Sequence, residues 1–353
     1  MNSWSWRGVI ALTSLFLSTG CGDRPGKAAS SLHLAVDAEI AQLLPGLEAL
    51  QFEGPAVGET LAKLNSSYKE WCAAPGKATG LMRDLTEQER KALKADDFAL
   101  RTRLGCSAWY ALTDQSAERD FAYTRNQIDA GLRQSANCVS VGFMQPYLMA
   151  VQLDCAQLTV VDLGFRTLYL HAVLLPLLTA ADFAGIDSVL AQFEKTTGVS
   201  FNAVCESSGV ARCKIALMAF AEKYRSRLKA TLLLSPLAKF RAEVGSMPTV
   251  IYMSNVPDPH FTSAEEFTEL QKNLAGSGDK LYAIYHQAES TNFGVYELAS
   301  GKIRTVCADA FVVSQAGRYS KDRCTYYPPS RRAFTTYFDN ASENKAEKKV
   351  CQF

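Results

Sequence analysis

Ten cysteines are spread over the 353 residues, and no two of them form a C-x-x-C pair. That spacing restricts what the chain can fold into more than any other feature. A structural zinc site needs closely spaced ligand pairs, so neither a metal nor a cofactor is assigned. Scattered cysteines persist as cross-links in an oxidising compartment, which makes disulfides the expected use. Proximity along the chain pairs Cys138 with Cys155, Cys205 with Cys213, Cys307 with Cys324, and Cys72 with Cys106. Cys351, behind the charged tail ENKAEKKV, is the expected orphan.

The N-terminus supplies the address that such cysteines require. Arg7 precedes an apolar run from Gly8 to Leu17, followed by Ser18, Thr19, Gly20 and then Cys21. This is the order of a secretory signal. The run is also too short for a permanent span, which needs about 20 residues. Residues 1–20 are therefore read as a signal peptide. The segment LSTGC resembles the bacterial lipoprotein lipobox, which implies acylation of Cys21 and a membrane partner reached through that lipid. Ser18 replaces the Leu usual in that motif, and Ser18 with Gly20 equally fits ordinary cleavage, so lipoprotein and plainly secreted forms both stay open. Gly22 after the cysteine implies, by the same resemblance, the outer membrane; the periplasm is the wider expectation. Residues 21–31, small and polar, read as a flexible tether.

Length allows about two domains, and 48% apolar residues suffice for real cores. From 32 to 247 the helical period dominates: Ile186, Val189, Leu190 and Phe193 form one stripe, and Leu217, Phe220, Tyr224 and Leu228 another. Thr86 and Glu89 form a capping-box start. The apolar stretch Leu158–Leu178 is expected to be one buried helix stopped near Pro176, with Asp162 and Arg166 paired on a face. After 248 the pattern shortens to TVIYM, LYAIY, FGVYEL, KIRTVC and AFVVS, read as strands, with one helix capped by Ser263 and Glu266. The expected class is α+β: a mostly helical domain at 32–247, then a smaller, mostly antiparallel sheet unit with one packed helix at 248–353, ending in a polar tail.

No motif decides the chemistry. G-x-S-x-G and H-E-x-x-H are missing. A net charge of +1 gives no case for nucleic acid, and Lys223, Arg225, Arg227 and Lys229 read as a solvated helix side. Asp258, His260 and His286 follow predicted strands and make a candidate catalytic group, since histidine beside a carboxylate serves as acid or base. Tyr326, Tyr327, Arg331 and Arg332 make a candidate interface, because Tyr and Arg are favoured there. The balance leans away from an enzyme. The expected function is an exported, lipid-anchored envelope protein that binds another envelope protein, as inhibitor, immunity or assembly factor; the alternative is a periplasmic hydrolase using Asp258, His260 and His286.

Overall fold

The structure, a computed structural model, describes residues 31–308 apart from 45–46, 75–84, 113, 115–116, 129–135, 226–227, 243–246, 257–261, 276–280, 287–292 and 300–301. The class is mixed, α+β, as expected: helices surround a sheet of nine described strands. These are β1 (Ser31–Val36), β2 (Gln51–Glu53), β3 (Ala136–Ser140), β4 (Cys155–Asp162), β5 (Lys229–Leu234), β6 (Thr249–Ser254), β7 (Leu281–His286), β8 (Phe293–Ala299) and β9 (Lys302–Ala308). Their order is β2-β1-β5-β4-β3-β6-β7-β8-β9. The six strands from β1 to β7 in that order are parallel, while β2 on one side and β8 and β9 on the other run antiparallel.

The helices are α1 (Ala38–Leu43), α2 (Pro55–Ala73), α3 (Glu87–Lys94), α4 (Phe98–Arg103), α5 (Ala117–Gln127), α6 (Gln145–Leu153), α7 (Phe165–Thr179), α8 (Ile186–Thr197), α9 (Phe201–Cys205), α10 (Val210–Tyr224) and α11 (Ala264–Ala275). Local chemistry sets several of their ends. Thr86 and Glu89 cap α3 reciprocally, with Glu89 N donating to Thr86 Oγ1 at 3.2 Å. Ser263 and Glu266 do the same for α11. Gly198, at φ +70°, closes α8 in a left-handed turn.

Side chains of successive strand residues point to opposite faces, and here both faces are covered. Cys138, Leu158, Val160, Leu232, Val250, Tyr252 and Ile284 join the large core that also holds the buried faces of α2, α6, α7, α8 and α10. Val139, Val161, Ile251, Met253, Leu281 and Ala283 face the other way, against Phe267, Leu270 and Leu274 of α11. From β3 the chain winds through β4 to β5 in one direction; it then returns to place β6 against β3's other edge and continues to β7. The sheet thus reverses its winding between β3 and β6.

Five strands lie within the stretch expected to be helical. The apolar run from Leu158 is not one helix: β4 ends at Asp162, Gly164 turns the chain, and α7 begins at Phe165 with Pro176 inside it. A strand buried on both faces has a continuous apolar run, which periodicity alone does not separate from a buried helix. Asp162 consequently bonds the amide of Gly164 at 2.8 Å. Arg166 instead donates to Gly105 O at 3.2 Å and lies 3.9 Å over the Tyr68 ring. In the basic run, Lys223 pairs with Asp154 at 2.6 Å, Arg225 lies over Phe183, and Lys229 opens β5. Within the stretch from 248, β6 pairs with β3 in parallel register.

Disulfides join Cys72 to Cys106, Cys138 to Cys155, and Cys205 to Cys213, with Cα separations of 5.3, 5.7 and 6.3 Å. Cys307 is also disulfide-bonded, and its expected partner Cys324 lies outside the described residues, as do Cys21 and Cys351. Cys138 and Cys155 tie the middle of β3 to the start of its neighbour β4, on either side of α6. Replacing both by Ala is expected to lower stability by about 2–4 kcal/mol in urea denaturation; an unchanged midpoint and slope would show the bridge to be incidental.

Candidate functional site

In open sheets of parallel strands, the crevice outside the carboxyl ends at a winding reversal is where backbone loops diverge and leave room for polar groups. Here that place lies beyond Ser140 of β3 and Ser254 of β6. The turn from β3 into α6 passes through Gly142, at φ +78°, and a Cβ there would meet Gln145 Oε1 at 2.6 Å. Only glycine allows Gln145 to fold back so closely over the turn.

Two buried groups hold this turn. His171 of α7, fully buried, bonds the Gly142 carbonyl through Nε2 at 3.0 Å and Tyr147 Oη through Nδ1 at 2.9 Å. A carbonyl only accepts, so Nε2 carries the hydrogen and Nδ1 accepts from the Tyr147 hydroxyl. Burial pushes the His171 ring down to about 4, against the smaller raising effect of the Gly142 bond. Burial also raises the Tyr147 hydroxyl well above its usual value. Asp162, at the end of β4, is pushed up to about 6 by burial, opposed by bonds from the amides of Gly164 and Gly142 and the side chain of Thr167.

Beside the turn sits Asp114, 1% exposed. Its Oδ2 accepts three hydrogen bonds: from Gln145 Nε2 at 3.1 Å, Tyr252 Oη at 2.9 Å and Ser254 Oγ at 2.7 Å. Its Oδ1 is buried with no hydrogen-bond partner among the described residues. Ser254 reaches Asp114 from a backbone at φ +48°, where the β6–β7 register also shifts. The left-handed region is costly for a residue with a Cβ. The ring of Tyr252 meets Phe121 edge-on at 4.7 Å, and Phe121 belongs to α5.

One strand further, His286 ends β7 fully buried and bonds Asp120 of α5 through Nδ1, with Arg119 3.4 Å from the other carboxylate oxygen. Burial raises Asp120 to about 6; the His286 bond and charge, and then Arg119, oppose that rise. Of the three residues expected to form a catalytic group, His286 is placed inside the core against Asp120, while Asp258 and His260 lie outside the described residues. Tyr326, Tyr327, Arg331 and Arg332 lie outside them too. Asp114, Gln145, Tyr252 and Ser254 escaped sequence reasoning. The one available signal was a strand leading through Gly142 to Gln145 and Pro146, a strand–turn–helix passage with an amide at its mouth.

Among the described residues, no group of three or more His, Cys, Asp or Glu side chains is arranged to hold a metal ion, and no helix is long and apolar enough to cross a membrane. No family model and no curated protein matches the chain. Among solved structures, a possible exported protein from Bordetella parapertussis is similar over 65% of this chain and 73% of its own, with 12% identity and a TM-score of 0.23. A likeness of that size carries no argument.

The His171 ring has a direct consequence for pH dependence. Its folded value lies below the ordinary 6.5, so its contribution is complete above 6.5 and is lost as the pH falls towards 4. The expected loss is on the order of 3 kcal/mol across that window. Proton NMR of the ring should show no titration between pH 7 and 5; a midpoint near 6.5 would contradict the buried, neutral assignment.

Proposed function

We propose that this is an exported α+β protein that binds a small polar ligand at the carboxyl ends of β3 and β6, with Asp114 as the recognising group. One observation carries the reading: a buried carboxylate that, among the described residues, has three donors on one oxygen and none on the other. Buried polar atoms in folded proteins are nearly always partnered, and an orphan at the sheet's winding reversal sits where a ligand would supply the missing donor. Ser254 is only 6% exposed and its neighbour Asn255 is half-buried, so the group lies just beneath the surface. The strained Ser254 backbone supports the same reading, since such conformations persist where the surroundings over-determine them.

Export rests on the leader that ends at Cys21 and is supported by the disulfides, which need an oxidising compartment. Acylation of Cys21 and residence in the bacterial envelope follow from the LSTGC resemblance. Binding of a partner protein through Tyr326, Tyr327, Arg331 and Arg332 rests on composition alone, and the Asp114 group has the better support.

Two measurements test the proposal. Adding the low-mass fraction of an envelope extract to the mature protein is expected to raise the melting temperature of wild type and leave Asp114→Asn unmoved. Equal shifts, or none in wild type, would remove the site. Intact-mass analysis of protein from its own host should give a chain beginning at Cys21 with added acyl mass. A mass that retains Met1 would defeat the export reading.

A further inference from the structure

Resting on the ligand site at Asp114, we propose that the ligand presents a protonated amine, and that Asp114 Oδ1 receives it. All three groups bonded to Oδ2 are neutral: an amide, a phenol and an alcohol. They satisfy one oxygen and supply no charge. No Lys, Arg or His among the described residues forms an ion pair with Asp114. The arginines of neighbouring elements are engaged elsewhere: Arg119 with Asp120, and Arg166 with Gly105 and the Tyr68 ring. A carboxylate removed from water without a counter-charge is costly, and a bound cation relieves that cost while a neutral hydroxyl does not.

The rest of the surroundings narrows the cation. A metal ion takes several oxygen or nitrogen ligands at once; among the described residues no three His, Cys, Asp or Glu side chains converge, and the amide and hydroxyls beside Asp114 already donate to its Oδ2. An ammonium carries three N–H donors; Asp114 Oδ1 would take one, and an aromatic ring face can take another because it is electron-rich. Tyr252, whose hydroxyl bonds Asp114 Oδ2, and Phe121, edge-on to its ring, are the aromatic groups of this neighbourhood. The ligand class is therefore a small organic ammonium, with its nitrogen at Asp114 Oδ1 and its carbon part against aromatic side chains.

The test uses the mature, oxidised protein at neutral pH and constant ionic strength. The probes are primary alkylammonium chlorides of increasing chain length, each matched by the neutral alcohol of the same length and by a polyol. At least one ammonium should raise the melting temperature saturably while its alcohol does not, and Asp114→Asn should weaken that binding by about tenfold or more. Thr86→Ala, which removes the exposed cap of α3 and leaves the Asp114 group untouched, should retain ammonium binding within a few-fold; loss of binding equal to that of Asp114→Asn overturns the charge argument. If alcohols or polyols bind in an Asp114-dependent way and ammonium ions do not, the amine proposal fails while the ligand site stands. If neither class produces an Asp114-dependent shift, both fail.

Discussion

The parallel pairing of β3 with β6 is the contact on which the rest of the molecule depends. It joins residues more than a hundred positions apart, through Asn137 to Thr249 and onward to Ser140 and Tyr252. It also joins the two directions of winding, so that most of the helices pack on one face and α11 on the other. The alternating burial along β6, Val250 and Tyr252 to one core and Ile251 and Met253 to the other, is the local condition for it. A slip of one residue would exchange those two sets.

That pairing also decides where polar groups can gather. Ser140 and Ser254 end β3 and β6, and buried polar side chains from α6 and α7 meet them there. Gly142 folds the end of β3 over, His171 and Asp162 hold the fold from below, and Tyr252 with Ser254 close it from β6. The histidine and the carboxyl at Asp162 shift in opposite senses from a shared cause, removal from water. The result is a rigid rim around Asp114, set by groups that come from three separate stretches of chain.

Much of the second half was legible in the sequence. The runs beginning at Thr249, Leu281, Phe293 and Lys302 all form strands, and the helix at Phe267, Leu270 and Leu274 packs as its spacing requires. The three bridges seen follow from proximity along the chain. The first half was less legible for a physical reason. β4 sends Val160 to one core and Val161 to the other, so the run from Leu158 carries too little alternation to set it apart from α7, while β1 and β5 bury alternate residues only, in short runs set among helical spacing. The site was illegible for another reason: Asp114, Gln145 and Ser254 become neighbours only once β3 and β6 pair, and no local motif records that.

The most direct test of this account is native-state hydrogen exchange of the oxidised protein, read peptide by peptide. If β3 and β6 form the centre of one sheet, amides at 137–141 and 250–254 should be among the slowest and should open together as denaturant is added. Exchange of 248–308 as a separate unit, while 136–234 stays protected, would contradict it.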